Sequence, residues 1–177
     1  VRILSIDSSL GTQLAVVETA GAAEAAVLPG RRDTDACDHA LRVLSRTEQT
    51  DTRRHAESLG QMLSEALSVP DAADRSLDAV VAATGPAPFT GLRAGLVTAR
   101  VVGRTRGVPV YGVSSLDAVA RRALDESAAR GGEPDPVVLV ATDARRREVY
   151  AALFRANGPD DVTRLTEIDV CPPTLVV

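Results

Sequence analysis

Apolar positions along the chain switch between the two-residue period of a strand and the three-to-four-residue period of a helix. Strand-like runs occupy residues 3–6, 13–18 and 41–47, and a short polar turn joins the first two into a hairpin. Residues 19–39 mix Ala, Gly, Pro and Asp without a sustained period. We therefore expect three strands, with a long loop before the third.

Helical spacing follows the third strand, where apolar side chains recur at intervals of three and four and predict a helix over residues 54–67. Strand and helix then alternate, with a Ser at the start of the last helix as its cap. These elements are predicted at 77–83, 90–106, 108–113 and 115–129. Such alternation is typical of a sheet with a parallel portion.

The opening pattern returns after a linker rich in Gly and Pro at residues 131–136. Strands are predicted at 137–142 and 148–154, joined by a turn that again begins with Asp, and a third strand is predicted near 163–168. The repetition predicts a duplicated fold.

The duplication divides the chain into an N-terminal lobe, residues 1–113, and a C-terminal lobe, residues 114–177. The second lobe lacks the helices expected from the first. We expect it to be shortened, or the natural chain to extend beyond residue 177.

Composition narrows the class of protein. Apolar residues make up 45% of the 177 positions, enough for a core, and no apolar run is long enough to cross a bilayer. The net charge of −4, without a block of one sign, does not favour independent nucleic-acid binding. Cys37 and Cys171 form neither a disulfide framework nor a zinc spacing. We expect a cytoplasmic protein without a membrane partner.

The turn at residues 84–93 joins a strand to a helix through unusual chemistry. Gly85 can adopt a positive φ, Pro86 and Pro88 fix φ, and Thr90 offers a hydroxyl at the helix start. Backbone N–H groups at such a helix start can hold an anion. From these residues alone, an anion site and a rigid connector are equally open.

Five segments occur in an order that resembles the bacterial TsaB (YeaZ) family. The resemblance spans nearly the whole chain, and its most specific parts are the last three segments, which are the 84–93 turn, the Ser-Ser-Leu segment and the Asp-Ala-Arg hairpin. The segments are residues 3–9, 54–57, 84–93, 113–118 and 143–150. It implies a two-lobed α/β fold of the actin/sugar-kinase/Hsp70 superfamily (actin-like ATPase, ASKHA, ribonuclease H-like), with mixed sheets flanked by helices.

This resemblance implies a non-catalytic subunit. TsaB-like proteins form a heterodimer with the related subunit TsaD, which transfers the threonylcarbamoyl group to adenosine 37 of tRNAs that read codons beginning with A. The ATPase TsaE joins the pair, and tRNA is met through the complex. TsaB-like chains also form homodimers. No cofactor of its own is expected, with ATP or ADP bound at the complex interface mainly by partners.

The superfamily holds nucleotide phosphates on hairpins whose Asp has a neighbouring Gly. The first turn here offers Asp7, Ser8 and Ser9, and the second offers Asp143 and Arg145, where arginines replace the Gly. We interpret these residues as vestigial phosphate ligands. The arginines pair with a phosphate or an acidic partner, or they belong to a solvated turn.

A face of the 90–106 helix nearly lacks side chains, because small residues recur at every fourth position. Another helix can approach such a face closely. This face and the apolar stripe of the 54–67 helix could both pack on the protein's own sheet, but the resemblance favours two uses, with one face inside and the other against TsaD or a second copy. We expect Gly95→Leu to abolish the complex with TsaD but leave the fold largely intact. The predicted interface residues are Leu59, Met62, Leu63, Ala66, Gly91, Leu92, Gly95, Leu96, Ala99 and Gly103.

Two other functions remain open beside the scaffold. An ATP-dependent phosphotransferase of the superfamily needs phosphate turns with Gly, which the second turn lacks. A metallopeptidase, as the older glycoprotease-like label of the family suggests, needs clustered ligands, and the only histidines, His39 and His55, are sixteen positions apart. We predict neither catalytic nor metal-binding residues.

The resemblance also favours the rigid-connector interpretation of the 84–93 turn, since Ala87 and Pro88 stand where TsaB-like turns more often have Gly and Ser.

Overall fold

The computed structural model describes residues 1–19, 41–50, 55–69 and 76–176. Most of the predicted 19–39 loop, with Cys37 and His39, lies outside these residues. The chain divides into two compact units. Unit 1 comprises Val1–Thr84 and Phe89–Gly112, and unit 2 comprises Gly85–Pro88 and Val113–Val177. The division into lobes 1–113 and 114–177 stays a prediction.

Unit 1 contains a five-stranded sheet in the order β3-β2-β1-β4-β5. Its strands confirm the predicted hairpin and the predicted parallel portion, because β1 runs antiparallel to β2 and parallel to β4. The strands are β1 (Arg2–Asp7), β2 (Thr12–Glu18), β3 (Arg42–Gln49), β4 (Ala79–Ala83) and β5 (Val110–Val113).

Two helices pack on this sheet, α1 (His55–Ser68) and α2 (Phe89–Arg106). Alternate residues of β1 are buried, as the two-residue period predicts, so that one face of the strand enters the core. The core combines this face with the apolar stripe of α1 and with small residues of α2. Its most buried members are Leu4, Ile6, Leu14, Val16, Ala66, Val80 and Ala99.

Unit 2 begins with the helix α3 (Ser115–Ala129), whose cap is Ser114. The Ser114 side chain accepts a hydrogen bond from the Asp117 N–H at 3.4 Å, which confirms a serine cap. Leu116 and Ala120 of this helix pack against the sheet of the unit, where Phe154 is fully buried.

The sheet of unit 2 is antiparallel throughout the strand pairs that the structure describes. The strand β7 is its centre, since β6, β8 and β9 all pair with it. The strands are β6 (Val137–Arg145), β7 (Glu148–Asn157), β8 (Asp161–Arg164) and β9 (Asp169–Cys171), followed by a 3₁₀ turn at Pro173–Leu175.

The third strand predicted near residues 163–168 is confirmed as β8, but its predicted bounds are wrong, because β8 ends at Arg164 and a second short strand, β9, follows at Asp169. A tight turn at Gly158, with φ of 70°, starts β8 early, at Asp161. The Leu153 N–H then donates to the Thr166 hydroxyl at 3.0 Å rather than to a backbone carbonyl. This side-chain acceptor interrupts the ladder, which resumes at Asp169.

The expected class of fold is confirmed, with two sheets flanked by helices. Among the helices of the described residues, none is both long and apolar enough to cross a membrane.

Candidate functional site

In the first aspartate-led turn, the aspartate side chain is hydrogen-bonded within the turn itself. Asp7 ends β1, and its Oδ1 accepts hydrogen bonds from the Ser9 N–H at 2.7 Å and from the Ser9 hydroxyl at 2.6 Å. Ser8 and Ser9 are both buried, at 2% and 6% exposure. Sequence reasoning identified these residues correctly as a structured turn, but the carboxylate is already engaged by the turn itself.

Ser8 ties this turn to the start of α2. Its hydroxyl donates to the Gly91 carbonyl oxygen at 2.9 Å, and the contact is buried. One helical turn later, a Cβ built on Gly95 would collide with the Ser8 hydroxyl and lie 3.0 Å from the Ser8 Cβ. The helix approaches the hairpin this closely only because position 95 has no side chain.

The small-residue face of α2 packs inside unit 1. Gly91, Gly95, Ala99 and Gly103 are all buried, and a Cβ on Gly103 would collide with the Val110 side chain. The expectation that Gly95→Leu leaves the fold intact is therefore wrong, because the added side chain meets the unit's own hairpin.

The other predicted interface residues also have internal contacts. Leu59, Met62 and Ala66 belong to the buried core, and Leu63 and Leu96 are partly buried against it. Leu92 is half-buried. Their proposed contact with a partner stays a prediction, and internal packing accounts for their apolar character.

The opposite face of α2 is both exposed and apolar. Phe89, Val97 and Val101 have 65%, 60% and 57% of their surface exposed, and the Arg93 guanidinium lies 3.6 Å from the centroid of the Phe89 ring. The helix has no acidic residue in its first turn and ends with Arg104 and Arg106. We call the residues 89, 93, 97 and 101 the outer face of α2.

Sequence reasoning missed the outer face, although its signal was present. The four residues recur at every fourth position, as the small residues do, but two positions out of phase with them. The period alone does not say which stripe faces the sheet. Burial against the hairpin decides it.

The turn between β4 and α2 is held by the start of α3. Gly85 has a φ of 90°, as predicted, and the Gly85–Pro86 peptide is cis. The Gly85 carbonyl oxygen accepts a hydrogen bond from the Ser115 N–H at 2.8 Å, and Ala87 is buried. These contacts fix the turn in place, which supports the rigid-connector interpretation.

The second aspartate-led turn repeats the first in its hydrogen bonding. The Asp143 Oδ1 accepts a hydrogen bond from the Arg145 N–H at 2.9 Å, which matches the bond between Asp7 and the Ser9 N–H two residues on. The backbone differs, because Arg145, Arg146 and Arg147 all have positive φ, at 66°, 56° and 65°. We call Asp143 to Arg147 the arginine turn.

Two of the chain's four thiol and imidazole residues, Cys37 and His39, lie outside the described residues. His55 is the first residue of α1, within the helix turn where it was predicted. Cys171 is a free thiol on β9. Over the same described ranges, no group of three His, Cys, Asp or Glu residues is placed to hold a metal ion.

Two α/β units that each contain an aspartate-led hairpin, one on a mixed sheet with helices packed against it, define an actin-like (ASKHA) fold. The chain belongs to the TsaD family, described as tRNA N6-adenosine threonylcarbamoyltransferase, whose sequence model matches residues 42–167. Within that family it is a TsaB/YeaZ-like protein, which confirms the resemblance read from its motifs.

Solved structures support the fold. YeaZ from Pseudomonas aeruginosa superposes with a TM-score of 0.69 at 22% identity, over 99% of this chain and 69% of that chain. A second Pseudomonas aeruginosa structure, of an uncharacterized protein similar to peptidase YeaZ, gives the same TM-score at 24% identity, with 99% and 68% covered.

Curated relatives match in sequence. An uncharacterized protein of Mycobacterium tuberculosis is 42% identical over 142 residues, which are 78% of this chain and 62% of that protein. The TsaB of Bacillus subtilis is 34% identical over 89 residues, covering 50% of this chain and 35% of that protein. The chain thus spans about three fifths of the length of its mycobacterial relative.

Proposed function

We propose that this chain is a non-catalytic subunit in the threonylcarbamoyl modification of tRNA, and that it acts by binding and supporting a TsaD subunit. Membership of the TsaD family and the match to a Bacillus subtilis protein named for tRNA threonylcarbamoyladenosine biosynthesis support the pathway. A cytoplasmic location accords with a tRNA substrate.

The closed first turn is the observation that carries the non-catalytic role. A superfamily ATPase needs a carboxylate and a free backbone at this turn to hold a hydrated metal and phosphates. Here one oxygen of Asp7 is engaged twice by Ser9, and the Ser8 hydroxyl is used on Gly91. These bonds leave the turn arranged for structure rather than for a nucleotide.

The outer face of α2 is the surface that we propose for TsaD. Exposed apolar side chains lie beside Arg93, for which the described residues provide no ion pair, and such a surface suits a partner helix with apolar and acidic residues. Arg93 lies over the ring of Phe89, and Arg and aromatic residues are both enriched at protein interfaces. When TsaD is absent, a second copy of the chain binds to this face. TsaE and tRNA join through the complex of the chain with TsaD.

Binding measurements separate this proposal from an ATP-dependent phosphotransferase. Titration calorimetry of the chain with ATP and Mg²⁺ is expected to give no binding, whereas titration with TsaD is expected to give a saturable complex. Tight ATP binding with hydrolysis by the chain alone supports the phosphotransferase and contradicts the scaffold.

A further inference from the structure

We propose that the arginine turn of unit 2 is a binding site for the phosphodiester backbone of RNA. The identity of that RNA as tRNA rests on the function proposed above. The site is the exposed tip of the β6–β7 hairpin, and its ligating groups are the guanidinium groups of Arg145, Arg146 and Arg147.

The three arginines differ from the others of unit 2 in having no carboxylate partner. The described residues of this unit contain eight arginines, and the five outside the turn are ion-paired. Their pairs are Arg121 with Asp125, Arg122 and Arg130 with Glu126, Arg155 with Asp135, and Arg164 with Asp117. The turn therefore carries three adjacent positive charges that no side-chain ion pair in the described unit neutralises.

Ion pairing elsewhere in unit 2 has an electrostatic consequence. The hydrogen bond and charge of Arg122 lower the pKa of the Glu126 carboxyl, with a further contribution from Arg130. Within the turn, the Asp143 carboxylate accepts a hydrogen bond from the Arg145 backbone N–H. Glu148, the next residue after the turn, forms no ion pair with the three arginines in the described part of the unit. The guanidinium groups remain available to an external anion.

The backbone of the turn is costly for these residues. Residues other than Gly rarely adopt a positive φ, and here three consecutive arginines do so. In the first turn the residue directly before the returning strand is Gly11, which has a φ of 116°, whereas the equivalent residue here is Arg147. The pairing register of the hairpin also shifts between Asp143 and Arg145. Costly backbone conformations of this kind cluster at functional sites.

The shape of the site favours a backbone phosphate over a small ligand. All three arginines are exposed at a hairpin tip, whereas sites for free nucleotides are concave and bury most of the ligand. Guanidinium groups bind phosphate through two parallel hydrogen bonds and remain charged at any physiological pH. An extended chain of phosphates can engage several of them at once without a pocket.

A pair of double variants tests the site while holding the change in charge constant. R146Q/R147Q removes two charges from the turn, and R122Q/R130Q removes two charges from exposed arginines that are ion-paired in the same unit. Binding of the full chain to a fluorescent unmodified tRNA transcript is measured by anisotropy across a salt series. The turn variant is expected to weaken binding about tenfold at low salt and to lower the slope of log K against log salt by about 1.5, as two lost phosphate contacts predict. The control is expected to bind like the original chain.

Arg147→Gly separates a binding defect from a folding defect. This variant relieves the positive φ and removes one charge, so it is expected to raise the thermal midpoint while it weakens tRNA binding about threefold. Loss of stability together with loss of binding contradicts the proposal.

Other outcomes also overturn it. Equal affinities for the two double variants, or no measurable binding of tRNA by the original chain at low salt, overturn the site. If R146Q/R147Q keeps its tRNA affinity but loses binding to polyglutamate, the turn serves an acidic protein surface and the RNA site is wrong. The assay contains no TsaD, so turn-dependent RNA binding in a chain that fails to support tRNA modification overturns the proposed function alone.

Discussion

The Ser8 hydroxyl donates a hydrogen bond to the Gly91 carbonyl oxygen at 2.9 Å, and this bond joins residues that lie 83 positions apart in sequence. It fixes the end of β1 to the first turn of α2. The outer face of α2 is therefore positioned by the same turn whose aspartate the superfamily uses for phosphates.

Ser8→Ala is expected to lower the free energy of unfolding by about 0.5–1.5 kcal/mol, because it removes a buried hydrogen bond between the hairpin and α2. Urea denaturation measures the loss. Ser68→Ala is the matched control, since the Ser68 hydroxyl donates to the Ser64 carbonyl at an exposed site. A loss no larger at Ser8 than at Ser68 contradicts the role of this bond.

Gly95→Ala is expected to destabilise unit 1 by about 1–3 kcal/mol, because its methyl group collides with Ser8 in a packed contact. Gly60→Ala in α1 provides the opposite case. A Cβ there has nothing within 4 Å, so the change is expected to stabilise the helix by about 0.5–1 kcal/mol. Two changes of the same sign in thermal denaturation contradict the packing described for α2.

Arg147→Gly is expected to raise the free energy of unfolding by about 0.5–1 kcal/mol, the cost of a left-handed residue less the added entropy of Gly in the unfolded chain. The reverse experiment is Gly11→Ala, where the Cβ would lie 2.9 Å from the Gln49 carbonyl oxygen at a φ of 116°. It is expected to destabilise by about 1–3 kcal/mol. Scanning calorimetry measures the unfolding midpoint of each variant. If both midpoints move in the same direction, positions 11 and 147 are not equivalent.

Much of the fold follows from periodicity and turn chemistry. The first hairpin, the three helices and the parallel pairing were predictable because each has a clear period bounded by Gly, Pro, Asp or Ser. The split between β8 and β9 was not, since it depends on the Thr166 hydroxyl replacing a backbone acceptor of the ladder. A side-chain acceptor of this kind produces no periodic pattern in the sequence.

The sequence predicted which residues of the candidate site matter better than it predicted which atoms they contact. The sequence identified the repeated small residues of α2 as a close contact, but a stripe does not specify its partner, and the partner is Ser8 and its neighbours. Similarly, Arg is disfavoured at positive φ, so the conformation of the arginine turn follows from the strand register and not from local preference.

Val97→Asp is expected to weaken the complex with TsaD by at least tenfold, because it places a carboxylate in the apolar centre of the outer face. Val119→Asp makes the same change at an exposed valine of α3 and is expected to leave affinity unchanged. Calorimetric titration of both variants with TsaD gives the comparison. Equal affinities place the interface elsewhere on the chain.

The most direct test of the scaffold role is the amount of threonylcarbamoyladenosine formed in unmodified tRNA, measured by mass spectrometry of its nucleosides. Purified TsaD and TsaE are supplied with a threonylcarbamoyl donor, with or without this chain. The modified nucleoside is expected only when TsaD and the chain are both present, and never with the chain alone. Equal modification with and without the chain, or modification by the chain in the absence of TsaD, would contradict the proposed function.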